Sequence, residues 1–129
     1  MPKAQPISVQ EMLDSVRFLP DRTPHTTDKE AAPAFATLSD YRDGGLFVGH
    51  FAGNSEWERH SQGDEIVYVL DGTTRLFLWV EGEEQGHDLK AGELMVVPQN
   101  IWHRFEAPDG VKIMAVTPQP TDHRVDRPE

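Results

Sequence analysis

The chain contains no cysteine, so neither disulfides nor thiolate metal sites support its fold, and any metal must be held by histidine and carboxylate. No apolar run approaches the ~20 residues needed to span a bilayer. The start, "MPKAQPISVQEM", lacks the hydrophobic stretch of a signal peptide. Positive charge is scarce: 12 Lys and Arg stand against 22 Asp and Glu, a formal net charge of -10. Such a surface repels phosphate backbones and anionic membranes. The expectation is a cytoplasmic protein with neither nucleic acid nor membrane as partner. At 129 residues there is room for one core and tails.

Helical periodicity is nearly absent too. Only "SVQEMLDSVRFLP" carries it, with Val9, Met12, Leu13 and Val16 at helical spacing and Ser8 with Glu11 in the form of a capping box, before Pro20. Residues 21–33, "DRTPHTTDKEAAP", have no period and read as a connector, so residues 1–33 are a helix plus connector. From residue 34 to 118 the chain becomes short apolar or alternating runs closed by Gly, Asp, Asn or Pro, such as "GLFVGHFAG", "EIVYVLDG" and "VKIMAVTP". These are the signature of antiparallel strands in a sandwich or barrel. Asp71 and Gly72 in "LDGTT" give the strongest hairpin signal. Residues 119–129, "PQPTDHRVDRPE" from Pro118 on, read as a flexible tail.

The stretch "SEWERHSQGDEIVYVLDG" places Glu58, His60, Asp64 and Glu65 at the mouth of a strand. Side chains alternate across a strand, so Glu65 heads the row of Val67 and Val69, and Glu58 and His60 share a side if "EWERH" is extended. Asp64 has the opposite parity and belongs to the turn. His103, in "VVPQNIWHRFEAP", shares a face with Phe105. Two distant strands therefore have the means to bring Glu58, His60, Glu65 and His103 together. Taken alone, Glu58, Arg59, His60 and Asp64 have an ordinary reading as a solvated turn. His50 reads as a hydrogen-bonded strand histidine, Trp57, Trp79 and Trp102 as packing, and His25, His87 and His123 as surface residues.

Two of these stretches resemble the motifs of the cupin superfamily. His60, Glu65 and Gly72 match the second His, the Glu and the Gly of the first motif, and Gly92, Pro98 and His103 match the second. Glu58 stands where the family's first His is usual, Asn100 where a Gly is usual, and Ala107 where an Asn often follows the last His. Asn tolerates the left-handed backbone that Gly would supply. The resemblance implies an all-β fold, a double-stranded β-helix (cupin or jelly-roll) barrel with the short helix outside it. It also implies one divalent ion, Mn, Fe, Zn or Ni, on His60, Glu65 and His103. Glu58 is then a fourth ligand or a general base, since carboxylate suits such ions.

Two functions follow from that resemblance: a metal-dependent enzyme on a small organic molecule, of dioxygenase, lyase or isomerase type, or a module that binds a ligand or metal without turnover. Several strands are apolar on both faces, with Leu76 and Leu78 on one side and Phe77 and Trp79 on the other. That excess points to a second barrel packed outside, a homodimer.

Overall fold

In the computed structural model, which describes residues 4–129, the side chain of Ser8 accepts the Glu11 N–H at 3.2 Å and opens helix α1 (Val9–Ser15). The helix buries Leu13 and rests on strands β2 (Phe35–Tyr41) and β3 (Gly44–Asn54). No helix among the described residues is long and apolar enough to cross a membrane.

The stretch expected to be an irregular connector is ordered. Strand β1 (Leu19–Arg22) runs parallel to β3, with Leu19 opposite Phe51 and Arg22 opposite Gly53. A single helical turn, α2 (Asp28–Ala31), opens on a complete capping box between Thr27 and Glu30. One turn is too short to show a period, and Pro20 disguises β1 because proline is tolerated only at edges and strand starts. Gly53 lets β1 approach: its φ is 105°, and a Cβ there would collide with the backbone carbonyl of Arg22.

Beyond these lie β4 (Trp57–His60), β5 (Glu65–Val80), β6 (Glu83–Lys90), β7 (Leu94–Val97), β8 (His103–Pro118) and β9 (Thr121–Arg124). Two long strands organise them. The first half of β5 pairs with β7 and with the second half of β8, which continues to β3 and β2. The second half of β5 pairs with β6 and with the start of β8, beside which lie β4 and β9. The result is an all-β barrel of two sheets closed by shared, bent strands, with the short helix outside.

The hairpin expected at Asp71 and Gly72 is not formed. Strand β5 continues through them, its ladder to β8 shifting on both sides of that point, and Gly72 adopts φ 80°. The glycine bends a long strand between the sheets instead of reversing it. The tight reversal comes at Glu81 and Gly82, where φ is 52° and 77°, as a two-residue turn with both φ positive requires.

The core follows the alternation. Val67, Val69, Leu76 and Leu78 of β5 meet Phe105, Val111 and Ile113 of β8 inside the barrel. Burying each such side chain stabilises the fold by about 1.5–3 kcal/mol. The opposite face near Phe77 and Trp79 is covered by the chain itself. Arg104 lies over Phe77 and Trp57, Arg127 over Trp79, and Trp57 meets Trp79 edge-on at 6.2 Å. Nor is the end of the chain a loose tail: β9 pairs residue for residue with β4, from Thr121 opposite His60 to Arg124 opposite Trp57. Its four polar residues carry no apolar alternation, which hid the strand in the sequence. Among the apolar side chains that stay exposed, Ile66 on β5 and Leu94 and Val96 on β7 are 37%, 57% and 50% accessible.

Candidate metal centre

Three hydrogen bonds bring the two distant stretches together. Residues 61–64 reverse the chain between β4 and β5, and residues 98–102 lead into β8. Asp64 Oδ1 accepts the Gln99 N–H at 2.8 Å, Gln99 Nε2 donates to the Ser61 carbonyl at 2.6 Å, and the Asn100 N–H donates to the His60 carbonyl at 2.9 Å. Asn100 takes φ 64°, the left-handed conformation anticipated from its position. Asp64 thus serves the turn, and Glu65 turns inward.

These ties set His60, at the end of β4, beside Glu65 and His103, the first residues of β5 and β8. All three are buried, and one ligand atom from each lies within 4.8 Å of the others. Their remaining atoms are already committed. His103 Nδ1 lies 2.9 Å from the carbonyl of Ile101, which only accepts, so that nitrogen carries a proton. Thr121 donates its hydroxyl to Gln119 Oε1 at 3.1 Å, so its oxygen accepts from His60 Nδ1, also at 3.1 Å. Thr117 donates to Glu65 Oε2 at 2.6 Å.

With both Nδ1 atoms protonated, the Nε2 atoms of two neutral rings present lone pairs to a carboxylate. His103 Nε2 is 3.0 Å from Glu65 Oε1; His60 Nε2 is 3.4 Å from Oε2 and has no hydrogen-bond partner. Three acceptors face one another in a buried space, an arrangement that costs energy until a cation enters it. Two imidazoles and one carboxylate, each oriented by a second hydrogen bond, suit a divalent transition ion. Without one, a proton takes that role. Burial raises the Glu65 pKa, but its contacts with His103 and His60 outweigh this and bring it down to about 2. The closer contact, to His103, has the better geometry. Burial lowers the His103 pKa, but the hydrogen bond and charge of Glu65 prevail and raise it.

Glu58 faces the same interior, opposite His103 across the ladder. It lies outside the group of three, in the wall of an adjoining cavity of about 530 Å³. Glu65, Thr117 and Thr121 line that cavity as well, with apolar walls from Phe35, Phe47, Phe105 and Ile113. His50 stacks on Phe18 with ring centroids 4.5 Å apart, away from the cluster. Trp57 and Trp79 pack together, and Trp102 lies beneath Arg59 at 4.5 Å. His123 pairs with Glu56 at 2.7 Å and His25 is exposed, whereas His87 on β6 is partly buried. Thr117, Thr121 and Arg22 belong to the site or its cavity yet carry no motif. Only Thr117 gave a sign, as the last inward position after Ile113 and Ala115.

A model of the cupin domain matches residues 49–117, more than half of the chain. The chain belongs to the cupin family. This cupin's backbone is similar to that of a cupin-2 domain protein from Shewanella frigidimarina. The TM-score is 0.55 at 24% identity, over 70% of this chain and 79% of that one. A cupin superfamily protein from Desulfitobacterium hafniense gives a TM-score of 0.58 at 18% identity, over 67% and 76%. In sequence, 53 residues are 30% identical to a 3-hydroxyanthranilate 3,4-dioxygenase from Paraburkholderia phytofirmans, covering 41% of this chain and 30% of that protein. Sixty residues are 35% identical to an acireductone dioxygenase from Rhodopseudomonas palustris, covering 46% and 36%. The matched stretch is thus about a third of the length of these curated relatives.

Proposed function

We propose that this cupin is a metal-dependent enzyme of dioxygenase type acting on a small organic molecule in the 530 Å³ cavity. The observation that supports this most is the buried convergence of two imidazole Nε2 atoms on one carboxylate, with His60 Nε2 left without a hydrogen-bond partner. One divalent ion held by His60, Glu65 and His103 would supply Lewis acidity and, where it is redox-active, reaction with dioxygen. The curated relatives named above are dioxygenases, which favours that type over a lyase or isomerase.

The chain's own side chains supply the rest. Thr117, Thr121 and the Ile101 carbonyl orient the three ligands. Phe47, Phe105 and Ile113 exclude water from one side of the cavity. Glu58, facing that space outside the ligand group, is the general base that takes a proton from the bound substrate. The functional unit in this reading is a homodimer joined through Ile66, Leu94 and Val96. Ile66 sits opposite Val96 in the ladder, so these side chains form one bare apolar strip.

The test is oxygen uptake by the Fe(II)-loaded protein with catechol-like, diketone and keto-acid substrates. Uptake dependent on both metal and substrate is expected. Ligand binding without turnover for any of them would make this cupin a binding module.

A further inference from the structure

The cavity wall carries an arginine that the metal centre does not use. Arg22, on β1, lines the cavity and is partly buried. Its guanidinium lies over the ring of Phe51 at 4.5 Å and that of Phe35 at 5.3 Å, so aromatic faces back it. Burial lowers its pKa, and Glu58 and Glu56 oppose that only through space, without a hydrogen bond. Glu56 is already paired with His123. A guanidinium stays charged at any ordinary pH. Among the described residues no carboxylate forms an ion pair with it, so its donors are free to meet an anion that enters the cavity. Arg22 also lies outside residues 49–117, so the family match assigns it nothing.

Building on the metal-centre reading above, we propose that Arg22 is the substrate anchor of this cupin. It holds the carboxylate of a small monoacid whose apolar or aromatic body fills the space between Phe35, Phe47, Phe105 and Ile113. The planar fork of arginine matches a carboxylate with two parallel hydrogen bonds. The acidic residues of the cavity, Asp28, Glu56, Glu58 and Glu65, decide against a doubly charged phosphate. Chain geometry commits the residue to this place. The close approach at Gly53 lays β1 along β3 and delivers Arg22 to the cavity wall.

Calorimetric titration of chelator-treated protein with benzoate and with neutral benzamide tests this, because no bound ion is then present to hold the carboxylate. Wild type is expected to bind benzoate at least tenfold more tightly. Arg22→Gln should abolish the preference while its metal content on reloading matches wild type, and Arg22→Lys should keep part of it. If Arg22→Gln fails to fold, Arg22→Met takes its place and must show the same loss of preference. Equal affinity of wild type for both probes, or a preference that survives in Arg22→Gln, overturns the anchor. Metal content and probe preference, read separately, distinguish the two readings. A metal-site failure leaves wild type without metal but with its benzoate preference, whereas an anchor failure leaves the metal in place and the preference missing or independent of Arg22.

Discussion

Nε2 of His103 lies 3.0 Å from Oε1 of Glu65 while the other nitrogen of the same ring is held at 2.9 Å by the carbonyl of Ile101. The pair therefore needs a cation, and in the metal-free protein that cation is a proton on a ring whose pKa is raised above 6.5. Glu65, lowered from 4.5 to about 2, stabilises the fold above its ordinary pKa and loses that contribution as pH falls toward about 2. His103 has the opposite sign: its contribution is full below 6.5 and is lost as pH rises through its raised pKa.

Heating the chelator-treated protein should therefore give a melting temperature that falls as pH rises above about 6.5, as the proton leaves His103. Zinc takes the proton's place, so the zinc-loaded protein should fall less and the gap between the two should widen with pH. Metal affinity should weaken about tenfold per pH unit below the His103 pKa for each proton displaced. A gap constant across that range would contradict this arrangement.

Thr117 donates to Glu65 from the last buried position of β8, at 2.6 Å. Thr117→Val should leave the barrel folded but weaken metal binding by about 10–100-fold, the usual cost of losing an orienting hydrogen bond. Thr117→Ser keeps the hydroxyl and should bind metal like wild type. Competition with a chromogenic chelator measures both.

Glu58 faces the cavity outside the ligand group. Glu58→Gln should retain wild-type metal content and lower turnover by at least ~100-fold, because the amide cannot accept the substrate proton. Loss of metal in this variant would reassign Glu58 as a fourth ligand. Unchanged metal and unchanged turnover would leave it a solvated wall residue.

The bare strip of Ile66, Leu94 and Val96 carries the dimer reading. Light scattering should give twice the chain mass of 14.6 kDa for wild type and the chain mass for Leu94→Glu. A monomeric wild type would mean that the strip is tolerated in water.

The strand alternation and motif spacing were enough to locate His60, Glu65 and His103 and to anticipate an all-β barrel, because both signals are local: period two and fixed offsets. The left-handed Asn100 was legible for the same reason. What escaped depends on tertiary contact. Gly72 bends a strand that only its pairing with β8 keeps continuous. Arg22 reaches the cavity through a parallel pairing of four residues, and Thr121 reaches His60 through another short strand. The apolar outer residues Phe77 and Trp79 suggested a partner barrel, yet Arg104 and Arg127 of the same chain cover them.

In the proposed site, His60, Glu65 and His103 together hold one divalent ion. Elemental analysis after reloading with Mn, Fe, Zn or Ni and removal of excess metal tests it most directly. About one ion per chain is expected in wild type for at least one of these metals, with sharp loss in both His60→Ala and His103→Ala, since each removes one of the two nitrogen ligands in the group. Equal metal content in wild type and both variants would contradict it.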